Sequence, residues 1–300
     1  MREEVEQALT ALHNNEPGAA ERAIALLQNT VFAFSMKMCG HREDAEDTMQ
    51  ETLLKAALRL PNFSSAKALA VWLYKVAKNQ CLMSRRKSKF APHEQLSLEA
   101  LMPDVNELEG MSDGARGPAP DRLLLRHENA EQVQRAILKL PPEYRLILVL
   151  HDMEELSNEE VALITGLREG TVRVRLHRAR TFLRNELAGR GRQTGRKVRR
   201  RAERSPTRRP SNCKKLFLEL SDYLDGQLDP SLCSELEQHL SGCEACQTFL
   251  TSLERTVLLL RQHKTPALSA EAAKQRRFAV MAEFRRAMRT VSEARPAVSA

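Results

Sequence analysis

The sequence predicts an all-α protein, and three observations carry that expectation. Apolar residues recur three and four apart wherever the chain is neither charge-rich nor broken by Gly and Pro, which is the period of a helix buried along one face. Val172, Leu176, Ala179 and Leu183 are the clearest stripe. Aromatic residues are only 4% of the 300 residues, against 42% apolar overall, which suits several small helical cores better than one large one. Helix start and stop signals also flank the stripes. Ser157 with Glu160 three residues on is a capping box, and Gly166 ends the helix it opens.

Taken in order, the N-terminus MREEVEQALT is acidic and lacks an apolar signal-peptide core. The longest clean apolar run, Leu146 to Leu150, falls far short of the ~20 residues of a membrane span, so the expectation is a cytoplasmic protein without a membrane partner. A helix is expected over 20–39, with Ile24, Leu27, Val31 and Phe34 on one face. Next comes HREDAEDTMQETLLKAALRLPNF. Glu43, Asp44, Glu46 and Asp47 crowd its start, where a helix dipole favours negative charge. Ala45, Thr48, Met49, Thr52 and Leu53 form its buried side, and Pro61 ends it. A third helix should run from about Ala66 to Arg86, carrying Trp72, Leu73, Tyr74, Val76 and Ala77 and ending in Arg85, Arg86 and Lys87. Trp72 and Tyr74 beside that basic end suit the stacking of unpaired bases. A place in the core is the other reading, preferred for Trp72 because it is the only tryptophan.

Residues 91–121 hold seven acids against Arg116 alone, and five Gly and Pro residues between 110 and 120 break regular structure; they read as an acidic linker of net −6. Helices resume at 122–188. Val133, Ile137 and Leu140 stripe the first, Pro141 and Pro142 stop it, and PEYRLILVLHDMEEL forms the next. The capping-box helix, the Gly166 turn and a second, basic helix from about Arg168 then make a helix-turn-helix, whose second helix enters the DNA major groove. Opposite its stripe lie Val174, His177, Arg178 and Thr181, flanked by Arg173 and Arg175. Arginine suits base reading because its fork bonds guanine O6 and N7 together. Arg175 and Arg180 are expected on phosphate or on the protein itself.

The net charge of +8 is uneven: residues 189–210 alone carry +9, so the remainder is close to neutral. Residues 189–211 read as a basic linker. Six cysteines in a cytoplasmic chain argue for metal binding or redox chemistry before structural disulfides. In 212–263, His239 and Cys243 are one helical turn apart, Cys243 and Cys246 form C-x-x-C, and Cys213 lies 26 residues before His239. Three thiolates and an imidazole suit one tetrahedral zinc ion, structural or redox-sensitive, with Cys233 as the alternative fourth ligand. With four ligands in place no position is left for catalytic water, so no enzyme and no catalytic residues are expected. Phe249, Leu250, Leu253, Val257 and Leu260 stripe the next helix. Phe278, Met281, Phe284, Met288 and Val291 stripe an amphipathic one in 264–300, which packs on either the zinc domain or another part of the chain.

The segment LPPEYRLILVLHDMEELSNEEVALITGLREGTVRVRLHRAR resembles region 4 of sigma-70 family factors of the extracytoplasmic-function group. HREDAEDTMQETLLKA resembles their region 2 helix that docks on RNA polymerase, and WLYKVAKNQCL the part that opens and reads the −10 element. The H-x-x-x-C-x-x-C cluster, its upstream Cys and the YLDG turn (Tyr223 to Gly226) resemble a zinc-binding anti-sigma domain. The resemblance implies a region 2 domain over 1–90 and a region 4 domain over 122–188. It puts Arg173, Val174, His177 and Arg178 on the −35 element and Asp44, Asp47, Gln50 and Glu51 on core RNA polymerase. Promoter DNA is the other partner. Because separate anti-sigma proteins of this kind bind and inhibit sigma regions 2 and 4, it further implies that the C-terminal domain contacts and regulates the sigma domains of its own chain, with inhibition as the expectation and a domain that only stabilises the fold or helps bind DNA as the alternative. The alternatives are a helix-turn-helix regulator with no polymerase role, and a thiol or zinc redox-sensing interaction protein.

Overall fold

The computed structural model describes residues 2–14, 18–60, 63–86, 96, 101, 124–188, 211–263, 265 and 267–293, and the regular structure among them is helical. The side chains at 82–86, 124–129, 211–214 and 287–293 are not among those described, and both expected linkers fall almost wholly outside. In chain order the helices are α1 (Arg2–His13), α2 (Ala19–Cys39), α3 (Arg42–Arg59), α4 (Ala66–Arg86), α5 (Leu124–Lys139), α6 (Pro142–Leu148), α7 (Asn158–Thr165), α8 (Glu169–Leu187), α9 (Ser211–Leu224), α10 (Pro230–Gly242), α11 (Glu244–Gln262) and α12 (Ala270–Glu293). They fall into two compact units, one of residues 1–91, 163–165 and 265–300, the other of 92–162 and 166–264.

In the first unit α1 packs on α2 and α4 through Val5, Ala8 and Leu9, all buried. Their one-turn spacing marks a helix that the acidic composition of this stretch hides. On α2, Ile24, Leu27, Val31 and Phe34 are buried as expected. The helix ends where Gly40 takes φ 80° and its N–H caps the Met36 carbonyl, a left-handed stop that a Cβ would disfavour. Ala45, Met49, Leu53 and Ala56 of α3 complete the core with Leu69, Leu73 and Tyr74 of α4. The last helix, α12, lies on α2 and α3. Its contact face matches the expected stripe only in part: Met281 is buried as expected, but Val280 is buried too, Phe278 is 70% exposed, and the side chains of Met288 and Val291 lie outside the described residues. Polar anchors set the rotation. Gln28 donates to the Ala273 carbonyl at 2.8 Å, and Arg276 reaches α3.

In the second unit Val133, Ile137 and Leu140 are buried, and Pro142 stands at the start of α6, where a missing N–H costs nothing. Buried Arg145 donates to the carbonyls of Ile137, Leu138 and Leu140, satisfying the end of α5. The single helix expected beyond Pro142 gives way to a π turn at Val149–Met153. One residue is thereby inserted into the helical register, as at many functional sites. The capping box forms both of its bonds, Glu160 N to Ser157 Oγ at 3.2 Å and Ser157 N to Glu160 Oε2 at 2.9 Å. Gly166 is left-handed at φ 77°. Three further helices, α9 to α11, enclose a core of Leu216, Phe217, Leu220, Leu236, Leu240, Phe249 and Leu253. Asp229 caps α10, accepting from the N–H groups of Ser231 and Leu232.

Candidate nucleic-acid interface and metal centre

The second helix of the helix-turn-helix, α8, buries Val172, Leu176, Ala179 and Leu183 against its own domain. Its opposite side divides. Val174 is 48% exposed and Arg173 pairs with Glu169 of the same helix at 3.8 Å. Arg175 lies 3.7 Å from Glu143 and stacks over Tyr144, an attachment to the protein itself. Arg178 is half-buried. His177 and Thr181, expected to face outward, are buried, His177 at 2% exposure. The helical wheel alone leaves them open; α9 covers His177, and Thr181 turns its hydroxyl back onto the His177 carbonyl at 2.8 Å. His177 Nδ1 lies 3.0 Å from Ser221 Oγ, and its ring meets Phe217 edge-on at 5.0 Å. Burial, with the charges of Arg180 and Arg178, pushes the imidazole down to about 4, so it is neutral near neutral pH.

One turn along α8, Arg180 is fully buried between two carboxylates. It donates to Asp152 through Nε at 2.9 Å and Nη2 at 2.5 Å, and to Asp225 through Nη1 at 2.9 Å and Nη2 at 2.8 Å. The Ser221 carbonyl accepts from it at 3.3 Å, and His151 bonds Asp152 at 2.9 Å. Burial by itself would raise the Asp152 carboxyl, but Arg180 outweighs it and holds the group well below the usual carboxylate range. The same pair keeps Arg180 charged despite its burial. Asp152 belongs to the π turn and Asp225 to the YLDG turn, so this cluster joins the helix-turn-helix domain to the module of α9–α11. Arg184 adds a further contact, bonding Ser252 Oγ at 2.6 Å with its guanidinium 4.1 Å from the Phe249 ring centroid. Buried opposite charges are a pairing that periodicity cannot register. The only sequence signal is two acids in turns near an otherwise basic helix.

His239 near the end of α10, Cys243 at the α10–α11 junction and Cys246 in the first turn of α11 bring one imidazole nitrogen and two sulfurs within 4.8 Å of one another. His239 Nε2 lies 3.3 Å from Cys246 Sγ. A soft N/S donor set of this kind suits a tetrahedral ion. The Cys213 side chain lies outside the described residues. Cys233 is not in the cluster; its thiol points to Glu237 Oε1 at 3.6 Å.

On α3, Asp47 and Glu51 are exposed, while Asp44 and Gln50 are half-buried. Arg276 of α12 covers part of this helix, donating to Gln50 Oε1 at 2.9 Å and Glu46 Oε2 at 2.8 Å. On α4, Tyr74 is core, 1% exposed and edge-on to Phe34 at 4.9 Å, so it is not a stacking platform in this structure. Trp72 is half-buried beside Phe63 at 5.6 Å and Arg59. The side chains of Arg85 and Arg86 lie outside the described residues.

Family models for Sigma-70 region 2 and Sigma-70, region 4 match residues 23–90 and 130–183, and one described as a zinc-finger matches 213–247. ECF RNA polymerase sigma factor SigW of Bacillus subtilis is 28% identical over 61% of this chain and 96% of its own length. SigE of Mycolicibacterium smegmatis is 33% identical over 53% of this chain and 57% of its own. ECF RNA polymerase sigma-E factor of Salmonella typhimurium is 30% identical over 48% of this chain and 74% of its own. The chain belongs to the sigma-70 family, in its extracytoplasmic-function group. As an RNA polymerase sigma factor it directs promoter-specific initiation of transcription, in a family of initiation factors rather than enzymes. Sigma factor RpoE of Bartonella quintana, solved in complex with the anti-sigma factor NepR, aligns with a TM-score of 0.41 at 22% identity, over 57% of this chain and 98% of that one. Among the described residues of this sigma factor no helix is long and apolar enough to cross a membrane.

Proposed function

We propose that this sigma factor is held closed by its own C-terminal third. The observation that carries the reading is the burial of His177 and Arg180 of the recognition helix beneath α9 and the YLDG turn. In the open form Arg173, Val174, His177 and Arg178 read the −35 element, and Arg175 stays on Tyr144 and the phosphate side. A helix whose histidine is bonded to Ser221 cannot present that residue to bases. Asp222 and Asp225 bring carboxylates toward a basic helix, where promoter phosphates would otherwise sit.

The polymerase-docking face is Asp44, Asp47, Gln50 and Glu51 on α3, and α12 engages Gln50 in the closed form. Trp72 with Arg85 and Arg86 serves the −10 element, Tyr74 supporting them from the core. Zinc is held by His239, Cys243 and Cys246 with Cys213 fourth. With Cys213 as the fourth ligand, these residues would hold zinc so as to tie α9 to the α10–α11 junction and steady the surface that covers α8. The boundaries that go with this reading are region 2 over 1–90, region 4 over 122–188 and the zinc domain over 212–263. The site of action is the cytoplasm, with core RNA polymerase and promoter DNA as partners. A metal-dependent inhibitor on the same chain responds to signals that favour its undocked state.

Run-off transcription with core polymerase tests the proposal. Residues 1–209 should exceed the full chain, and adding the 210–300 fragment should restore inhibition. Lower transcription from a folded 1–209 fragment would make the C-terminal third an activator and refute closure.

A further inference from the structure

Cys39 and Cys81 lie outside everything the promoter and zinc chemistry uses, yet the fold brings them together. Cys39 is the last residue of α2 and Cys81 lies on α4. Their Cα atoms are 6.0 Å apart, at a sequence separation of 42, and the fold sets their two sulfurs against each other. That Cα spacing is ordinary for a bridge. Both are buried, each 2% exposed, and Cys39 Sγ is 3.8 Å from Thr48 Oγ1 on α3. Three helices of region 2 therefore meet at one sulfur pair, and the whole of α3, with its polymerase-docking residues, lies inside the loop the pair closes.

We infer that Cys39 and Cys81 are a reversible thiol–disulfide couple that hardens region 2 against unfolding under oxidising conditions. A sigma factor works beside RNA polymerase in the reducing cell interior, where lasting disulfides are rare and those that form are transient or redox-sensing. The couple is reduced there at rest. The oxidant is a small disulfide such as oxidised glutathione. The Cys39 thiolate attacks one of its sulfurs and one glutathione thiolate leaves. The Cys81 thiolate then attacks the Cys39 sulfur and the second leaves. Two protein thiols are oxidised, one glutathione disulfide is reduced, and the two protons pass to the departing glutathiones. Burial makes the reaction depend on transient opening of the helices. The molecules caught are those beginning to unfold, and the bridge returns α2 and α4 to their folded spacing. Closing a loop of this length removes much of the unfolded chain's freedom.

The full chain, incubated with reduced or with oxidised glutathione, is alkylated, digested with trypsin and mapped by mass. The oxidised sample should yield one species linking residues 38–42 to residues 79–85, lighter by two hydrogens than the two peptides together. The melting transition of region 2 should rise by on the order of ten degrees in the same sample. Cys39→Ala should abolish both changes, and where that variant does not fold the comparison of the two wild-type samples stands alone. Free or separately glutathionylated Cys39 and Cys81 after oxidation would overturn the inference. Linkage of either to Cys233, Cys243 or Cys246, or a bridge that leaves melting unchanged, would do so equally. None of these readouts depends on whether the C-terminal third inhibits transcription.

Discussion

Asp225→Asn tests closure at one carboxylate. Arg180 has no exposed side-chain surface and makes two bonds to each of Asp152 and Asp225. Orphaning a buried charge costs about 3–5 kcal/mol. Here Asp152 still neutralises the guanidinium, so the loss is nearer that of hydrogen bonds to a charged group, about 2 kcal/mol. That converts to a roughly 30-fold shift from docked to undocked. While the closed form dominates, the whole factor appears in apparent DNA affinity. Fluorescence anisotropy with a −35 duplex should therefore show the full-length variant binding up to about 30-fold more tightly than the parent, approaching residues 1–209. Metal content should not change, because Asp225 is not in the His–Cys cluster. Unchanged or weaker DNA binding at unchanged metal content would refute the argument that this ion pair holds the module on α8.

Four other outcomes follow from the same geometry. Arg276→Glu places a negative charge against Glu46 and should strengthen full-length binding to core polymerase several-fold in a pull-down titration; the pair is part-exposed, so more than about tenfold is not expected. Lowering pH should loosen docking through His177: its docked value of about 4 lies below the usual ~6.5, so the neutral ring's contribution is intact above ~6.5 and lost as pH falls toward 4. Between pH 7.5 and 5 the shift is at most about 2 kcal/mol, and Asp222, raised by burial, opposes it; His177→Gln should flatten the His177 part of the anisotropy profile. Cys243→Ser should lose zinc and unfold α9–α11 by circular dichroism, while Cys233→Ser keeps both; zinc lost from Cys233→Ser but not from Cys213→Ser would reassign the fourth ligand. In residues 1–209, Arg178→Ala should cost about 1–3 kcal/mol and relax preference at one −35 base pair, whereas Arg175→Ala should weaken all sequences alike; equal loss of selectivity in footprinting would erase that distinction.

The features legible in the chain alone are local in origin. The stripe of Val172, Leu176, Ala179 and Leu183, the Ser157–Glu160 box and the Gly166 stop each depend on residues within a turn or two, so the order of residues is enough to specify the helix-turn-helix. The H-x-x-x-C-x-x-C cluster is legible for the same reason, since one helical turn and one short junction bring its three side chains together. Tertiary contacts decide the rest. A helical wheel shows His177 and Tyr74 to one side of their helices but not what lies on that side, and α9 and Phe34 cover them. The rotation of α12 departs from its apolar stripe because Gln28 and Arg276 anchor it through polar bonds that such a stripe does not contain. Arg180, Asp152 and Asp225 are up to 73 positions apart in the chain, and Cys39 and Cys81 are 42 apart. Buried ion pairs and thiol pairs follow from distance and desolvation in three dimensions, and neither leaves a period in the sequence.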